Sequence, residues 1–245
     1  MRIYNDKAEL IRNLKWRADT GLNRQYWGME ERGVRAPGSP RPRPGAPEPG
    51  GMQVLPGTYK VVLTRGKDSD STMVTIKDDP RVKKSSDVIA AQRKAVERLR
   101  TSSAKLTEAM DRLSDWEEIL GKMQGQLRGV DVKEVDTLRK TTNALQDSIK
   151  KIREYIVGKS NADKQGIVRG PQVTVMNRIQ VAQQYIMSKS VAPGEQEQAL
   201  VESAEQFIAE AVKRTNQFYA TSWMNYRKLA EGTRPPLFKE YQPIQ

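Results

Sequence analysis

At Pro80 the periodicity of this chain changes, and that change limits the folds open to it. Before it, Tyr59, Val61 and Leu63 alternate with Thr58, Lys60, Val62 and Thr64 behind a Pro56-Gly57 turn. Period two marks a strand with one buried face. Thr72–Lys77 reads as its antiparallel partner, across a polar Arg65–Ser71 loop that contains Gly66. Asp78-Asp79-Pro80-Arg81 then closes the sheet, because proline offers no amide to a ladder and fixes φ. After it, apolar residues recur every three or four positions. A single switch in this order predicts an α+β chain, mostly α, with strands and helices segregated. The predicted divisions are a β unit over 1–82, four helices over 85–232 and a tail over 233–245.

The rest of the β unit is less regular. Arg2–Tyr4 reads as a short strand ending in an Asn5-Asp6 turn, and Glu9–Lys15 as another, with Leu10, Ile11 and Leu14 apolar. Thr20-Gly21-Leu22-Asn23 is a turn. Asn23–Met29 is predicted to follow as a strand carrying Tyr26 and Trp27, which join Tyr59 in the core. The Pro-rich stretch 36–51 must be irregular. Its polyproline character suits an aromatic-lined groove, but no aromatic accompanies it, so a plain surface loop is the reading.

The helices announce themselves by seams. Val96, Leu99, Leu106, Met110, Leu113 and Leu120 predict a first helix over about 87–127, capped by Ser85 or Ser86. Trp116, Ile119, Met123 and Leu127 widen its seam. Val135, Leu138, Thr142, Leu145, Ile149, Ile152 and Ile156 give a second, with Asp131 as its cap and Gly158 as its stop. Pro171 opens a third on Val175, Ile179, Ala182 and Ile186. The fourth runs over about 195–230, with Leu200, Ala204, Phe207, Ala211, Phe218 and Leu229 on its seam. Short connections predict antiparallel neighbours in an up-down-up-down four-helix bundle. Phe238 and Tyr241 in the tail are expected to fold back.

Chemistry is narrowed by what is missing. The chain has no Cys and no His. Thiol nucleophiles, zinc–thiolate sites and imidazole acid–base catalysis are thereby excluded. The adjacent carboxylates Glu117-Glu118, Glu30-Glu31 and Asp78-Asp79 remain, but neighbours on a helix point about 100° apart and do not converge. Asp68 and Asp70 lack the calcium-loop pattern that ends in a bidentate Glu. Gly121, Gly125 and Gly129 match no phosphate loop and predict a frayed or kinked helix end. No cofactor or metal site is predicted. The formal charge of +12 is divided evenly between the two halves and mixed with acids, which favours a solvated surface over a nucleic-acid stripe. Nucleic acid stays open as a partner through Phe218–Lys228, where Trp223, Tyr226 and Arg227 are the candidate interaction surface. Packing at the end of the bundle is the competing reading of the same residues. No apolar run reaches the length of a membrane span, and the first residues show no signal-peptide core.

The order Gly21-Leu22-Asn23-Arg24-Gln25-Tyr26-Trp27, a variable loop, Leu55-Pro56-Gly57-Thr58-Tyr59, a β return and Asp79-Pro80-Arg81 resembles a known arrangement. So does the ending Asn216-Gln217-Phe218, Trp223, Tyr226-Arg227 and Pro235-Pro236-Leu237-Phe238. Together they resemble the C-terminal region of bacterial sortilin-like or BNR-repeat, glycosyl-hydrolase-related β-propeller proteins. That resemblance implies an immunoglobulin-like sandwich before the helices and a non-catalytic accessory role. It also implies export, and a partner in the propeller domain of the parent protein or in another protein. No propeller blade or Asp-box motif occurs here, so the resemblance carries over no catalytic residue. It further implies that Met1 is the start of a fragment. The competing function is polyanion binding, to nucleic acid or an acidic glycan.

Overall fold

A computed structural model describes residues 1–81, 86–130, 133–159 and 173–233. The expected caps at Ser85 and Asp131, the loop 161–170, the helix start at Pro171, and Phe238 and Tyr241 lie outside the described residues, as does the cap role of Ser86. The chain is α+β, with its helices after its strands. The strands are β1 (Arg2–Tyr4), β2 (Leu10–Asn13), β3 (Glu30–Arg32), β4 (Gly50–Gln53), β5 (Gly57–Arg65) and β6 (Asp68–Ile76).

The order β2-β1-β5-β6 makes one antiparallel sheet, and β3-β4 makes a second. Arg65 pairs with Asp68, so Gly66-Lys67 is a two-residue turn rather than the longer loop expected. Gly66 has φ +60, the left-handed value that such a hairpin needs. The tight turn sets the register, and the ladder runs through Ser69, Asp70 and Ser71 although none of them is apolar.

The strand expected over 23–29 is absent, and pairing begins only at Glu30. Its partner β4 closes the Pro-rich stretch, where a Cβ on Gly51 would lie 2.7 Å from the Glu31 carbonyl oxygen. Only glycine allows the two backbones so close. Of the three aromatics expected in the core, Tyr59 is buried and donates to the Leu55 carbonyl at 2.6 Å. Trp27 meets its ring edge-on at 5.6 Å. Tyr26 is 76% exposed, because residues 23–28 do not alternate as a strand would. Ile3, Val54 and Tyr59 form the β core, and Arg12 on the same sheet face reaches Glu30 at 3.0 Å.

The helices are α1 (Ser86–Gln126), α2 (Lys133–Val157), α3 (Val175–Ser188), α4 (Glu195–Phe218) and α5 (Met224–Gly232). A π turn, Tyr219–Trp223, joins the last two. α1 continues through Gly121 and Gly125, and Gly129 follows at φ +78. Every expected seam residue of α2 is buried. On α4 the buried seam is Val201, Ala204, Ile208, Ala211, Thr215 and Phe218; Ala204, Ala211 and Phe218 are as expected, while Val201 and Ile208 are buried in place of Leu200 and Phe207, which are half-buried. Ile119 is exposed rather than part of the α1 seam. α1 packs on α2, α3 and α4, and α3 packs on α4.

Polar side chains fasten the turns. The buried Gln92 carboxamide on α1 donates to the carbonyls of Ile186 at 2.9 Å and Lys189 at 2.8 Å, capping the end of α3. Glu197 accepts from the Gly194 amide at 2.8 Å and from Lys189. These contacts hold its carboxyl below the usual range, the Lys189 bond foremost and the Gly194 amide next.

The β unit is tied to α1. Met52 of β4 packs on the cluster of Val96, Leu99, Ala182, Ile186, Val201 and Ala204. Arg93 bonds Glu31, and Arg35 bonds Asp111. Arg41 holds Asp115 through two bonds of 2.8 Å. The Pro-rich loop is irregular and largely exposed, as expected, and it is also anchored along α1.

Candidate functional site

The π turn decides what becomes of the candidate surface. Continued in α geometry, the α4 seam beyond Phe218 falls on Ser222 and Asn225. A π turn inserts one residue and rotates everything after it by one position. The seam falls on Trp223 and Tyr226 instead, which are 9% and 3% exposed, while Asn225 turns outward. Trp223 stacks on Trp116 with centroids 5.4 Å apart, and Trp116 also meets Phe218 and Tyr219. The Tyr226 hydroxyl lies 2.9 Å from the hydroxyl of Thr142 on α2. Burial raises the Tyr226 pKa, and the Thr142 bond opposes part of that rise.

Trp223 and Tyr226 are therefore core side chains. They offer no stacking platform to a base. Arg227, the third residue proposed for that surface, is exposed and pairs with Glu231 at 2.6 Å. The structure brings the two aromatics together and leaves Arg227 outside them.

The adjacent carboxylates are divided among different cations. Glu117 meets Arg153 at 2.7 Å, while Glu118 meets Lys122 at 2.6 Å. Glu30 meets Arg12, while Glu31 meets Arg93. Asp79 meets Arg81 at 2.7 Å. Among the described residues no three acidic side chains gather as a metal cage requires. None of the described helices is long and apolar enough to cross a membrane.

A region that the sequence reading passed over is the end of the four-stranded sheet nearest the β5–β6 turn. There Leu14, Trp16, Val61 and Leu63 line an open cleft of about 860 Å³, with Lys15, Arg65 and Asp70 among its polar lining. Beside it the 19–23 turn is held by Asn23, whose side chain accepts from the Asp19 amide at 2.9 Å and donates to the carbonyls of Asp19 and Gly21. Leu22 stands at its tip, 95% exposed. The sequence signal for this site was an apolar residue inside a Gly-Leu-Asn turn.

No family model matches the chain, and neither a curated protein nor a solved structure matches it.

Proposed function

We propose that this chain is a non-catalytic structural and interaction module, the C-terminal part of a larger exported β-propeller protein. In this reading the β unit is an immunoglobulin-like sandwich and the helices form an antiparallel four-helix bundle. The observation that carries it is the use made of the charged side chains. Adjacent carboxylates diverge onto separate cations, and Arg35, Arg41 and Arg93 join the β unit to α1. The sandwich reading is supported by the two antiparallel sheets and by Val54, the residue after β4, which packs with Ile3 and Tyr59 of the larger sheet. The bundle reading is supported by four amphipathic helices that share a core. The partner is the propeller of the parent protein or another protein.

Genomic sequence upstream of the Met1 codon tests the larger-protein reading. An open frame encoding propeller blades is expected, and an in-frame stop directly upstream refutes it. Turnover of aryl glycosides by the purified chain would refute the non-catalytic reading.

A second reading is polyanion binding. It is favoured by Arg2, Lys15, Arg65 and Lys67 near the β5–β6 turn, which have no carboxylate within ion-pair distance among the described residues. Salt-sensitive retention on heparin near physiological ionic strength would support it.

A further inference from the structure

The β unit covers its own sheet unevenly. Ile3 and Tyr59 lie beneath Val54 and the Trp27 ring. Strand alternation puts Val61 and Leu63 on the same inner face, further toward the β5–β6 turn. There the second layer stops. Leu63 is 48% exposed, and the cleft of about 860 Å³ opens above it between the sheet and the 16–25 loop. A sheet whose inner face is apolar gains by packing a second layer along its full length. The uncovered Val61 and Leu63 lie in line along β5, so a segment that completes the layer over them lies extended along that strand.

The surroundings indicate the chemistry of that segment. Lys15 and Arg65 line the cleft, and Lys67, Arg17 and Arg24 lie on the adjoining turn and loop. Among the described residues no carboxylate lies within ion-pair distance of any of them. Asp70 is the one acid in the lining. Asp68 on that turn and Asp19 on that loop are also acidic, so five cations face three carboxylates, and the rim is net positive and complements an acidic ligand. The neighbouring turn is already shaped by Asn23 and by Gly21 at φ +96, and it holds Leu22 outward. An apolar side chain presented by a pre-ordered turn loses little entropy on docking.

We propose that this cleft binds an extended polypeptide segment of a protein partner, with apolar side chains at alternate positions and carboxylates flanking them. The proposal deepens the interaction-module reading and rests on it. The apolar side chains of the segment continue the layer of Val54 and Trp27 over Val61 and Leu63. Its carboxylates meet Lys15 and Arg65, and Leu22 and Tyr26 hold the partner beyond the cleft. A nucleic acid backbone satisfies the cations but gains nothing from Val61 and Leu63.

A phage-displayed library of random peptides, about twelve residues long, selected on the full chain, tests this. Leu63→Lys removes the apolar floor and keeps the hairpin, because Leu63 faces Asp70 across the ladder. Lys15→Glu with Arg65→Glu inverts the rim. Unchanged thermal unfolding establishes that both variants fold. The expected clones alternate apolar residues, carry Asp or Glu at the flanks, and bind at least tenfold more weakly to each variant. Failure to recover any Leu63-dependent clone overturns the proposal, and so does recovery of Leu63-dependent clones with basic flanks. Heparin binding that rises on Leu63→Lys and falls tenfold on Lys15→Glu with Arg65→Glu also overturns it, by making the cleft a polyanion site. Clones that bind both variants as tightly as the parent chain overturn the cleft but leave the interaction-module reading standing. Glycoside turnover removes that reading instead.

Discussion

Thr142 and Tyr226 form a buried polar pair whose two members should not be equivalent. The Thr142 hydroxyl lies 2.7 Å from the Leu138 carbonyl, which has no proton to give, so Thr142 donates to it. The Tyr226 hydroxyl, 2.9 Å away, must then donate to Thr142. Thr142→Val is nearly isosteric and leaves the Tyr226 O–H buried without an acceptor, at a cost of about 1–3 kcal/mol. Tyr226→Phe removes the donor itself and leaves Thr142 bonded to Leu138, costing about 0.5–1.5 kcal/mol. The double variant has no orphaned group and should be no less stable than Thr142→Val alone. Urea unfolding followed by far-ultraviolet circular dichroism checks the series. With a slope near the upper end for urea, about 3 kcal/mol per molar for a chain of this size, Thr142→Val should lower the midpoint by roughly 0.3–1 M. The reasoning is refuted if Thr142→Val costs no more than Tyr226→Phe, or if the two costs simply add.

Deleting Ala220 should be tolerated to within about 1 kcal/mol, since it restores α geometry and keeps Trp223 and Tyr226 inward. Deleting Ala209 instead should unfold the helical region, as thermal melts would show. Gln92→Ala should cost about 1–2 kcal/mol in urea by uncapping α3. Asp111→Asn should cost under about 1 kcal/mol, because its pairs with Arg35 and Arg41 are partly solvated. It should nevertheless speed tryptic cleavage after Arg35, which Asp111 anchors and which Ala36 follows, and added salt should do the same to the parent chain. The Glu197 pKa is depressed in the fold, so its contribution is full above the unfolded value and is lost as pH falls through the folded one. A Glu197→Gln chain should therefore show a shallower loss of melting temperature in acid. Burial raises Tyr59, Tyr155 and Tyr226, so their contribution is full below about pH 10 and is lost as pH rises through the folded values.

The sequence by itself determined the period switch at Pro80, the four amphipathic segments and the α2 seam, because those depend on spacing along one element. It also determined the exclusion of thiol and imidazole chemistry, which needs only composition. The β3–β4 pairing was not legible. It depends on glycines that let two backbones approach, and strand propensity does not register such a contact. Only the tertiary structure decided that Trp223 and Tyr226 lie inside. One inserted residue turns a helix by about 100°, and the neighbouring Trp116 and Thr142 that reward the turn come from distant parts of the chain. The open end of the sheet was decided there as well. Alternation says which face Val61 and Leu63 occupy, but what covers a face is a property of the packed layers, and here the covering stops short of Leu63.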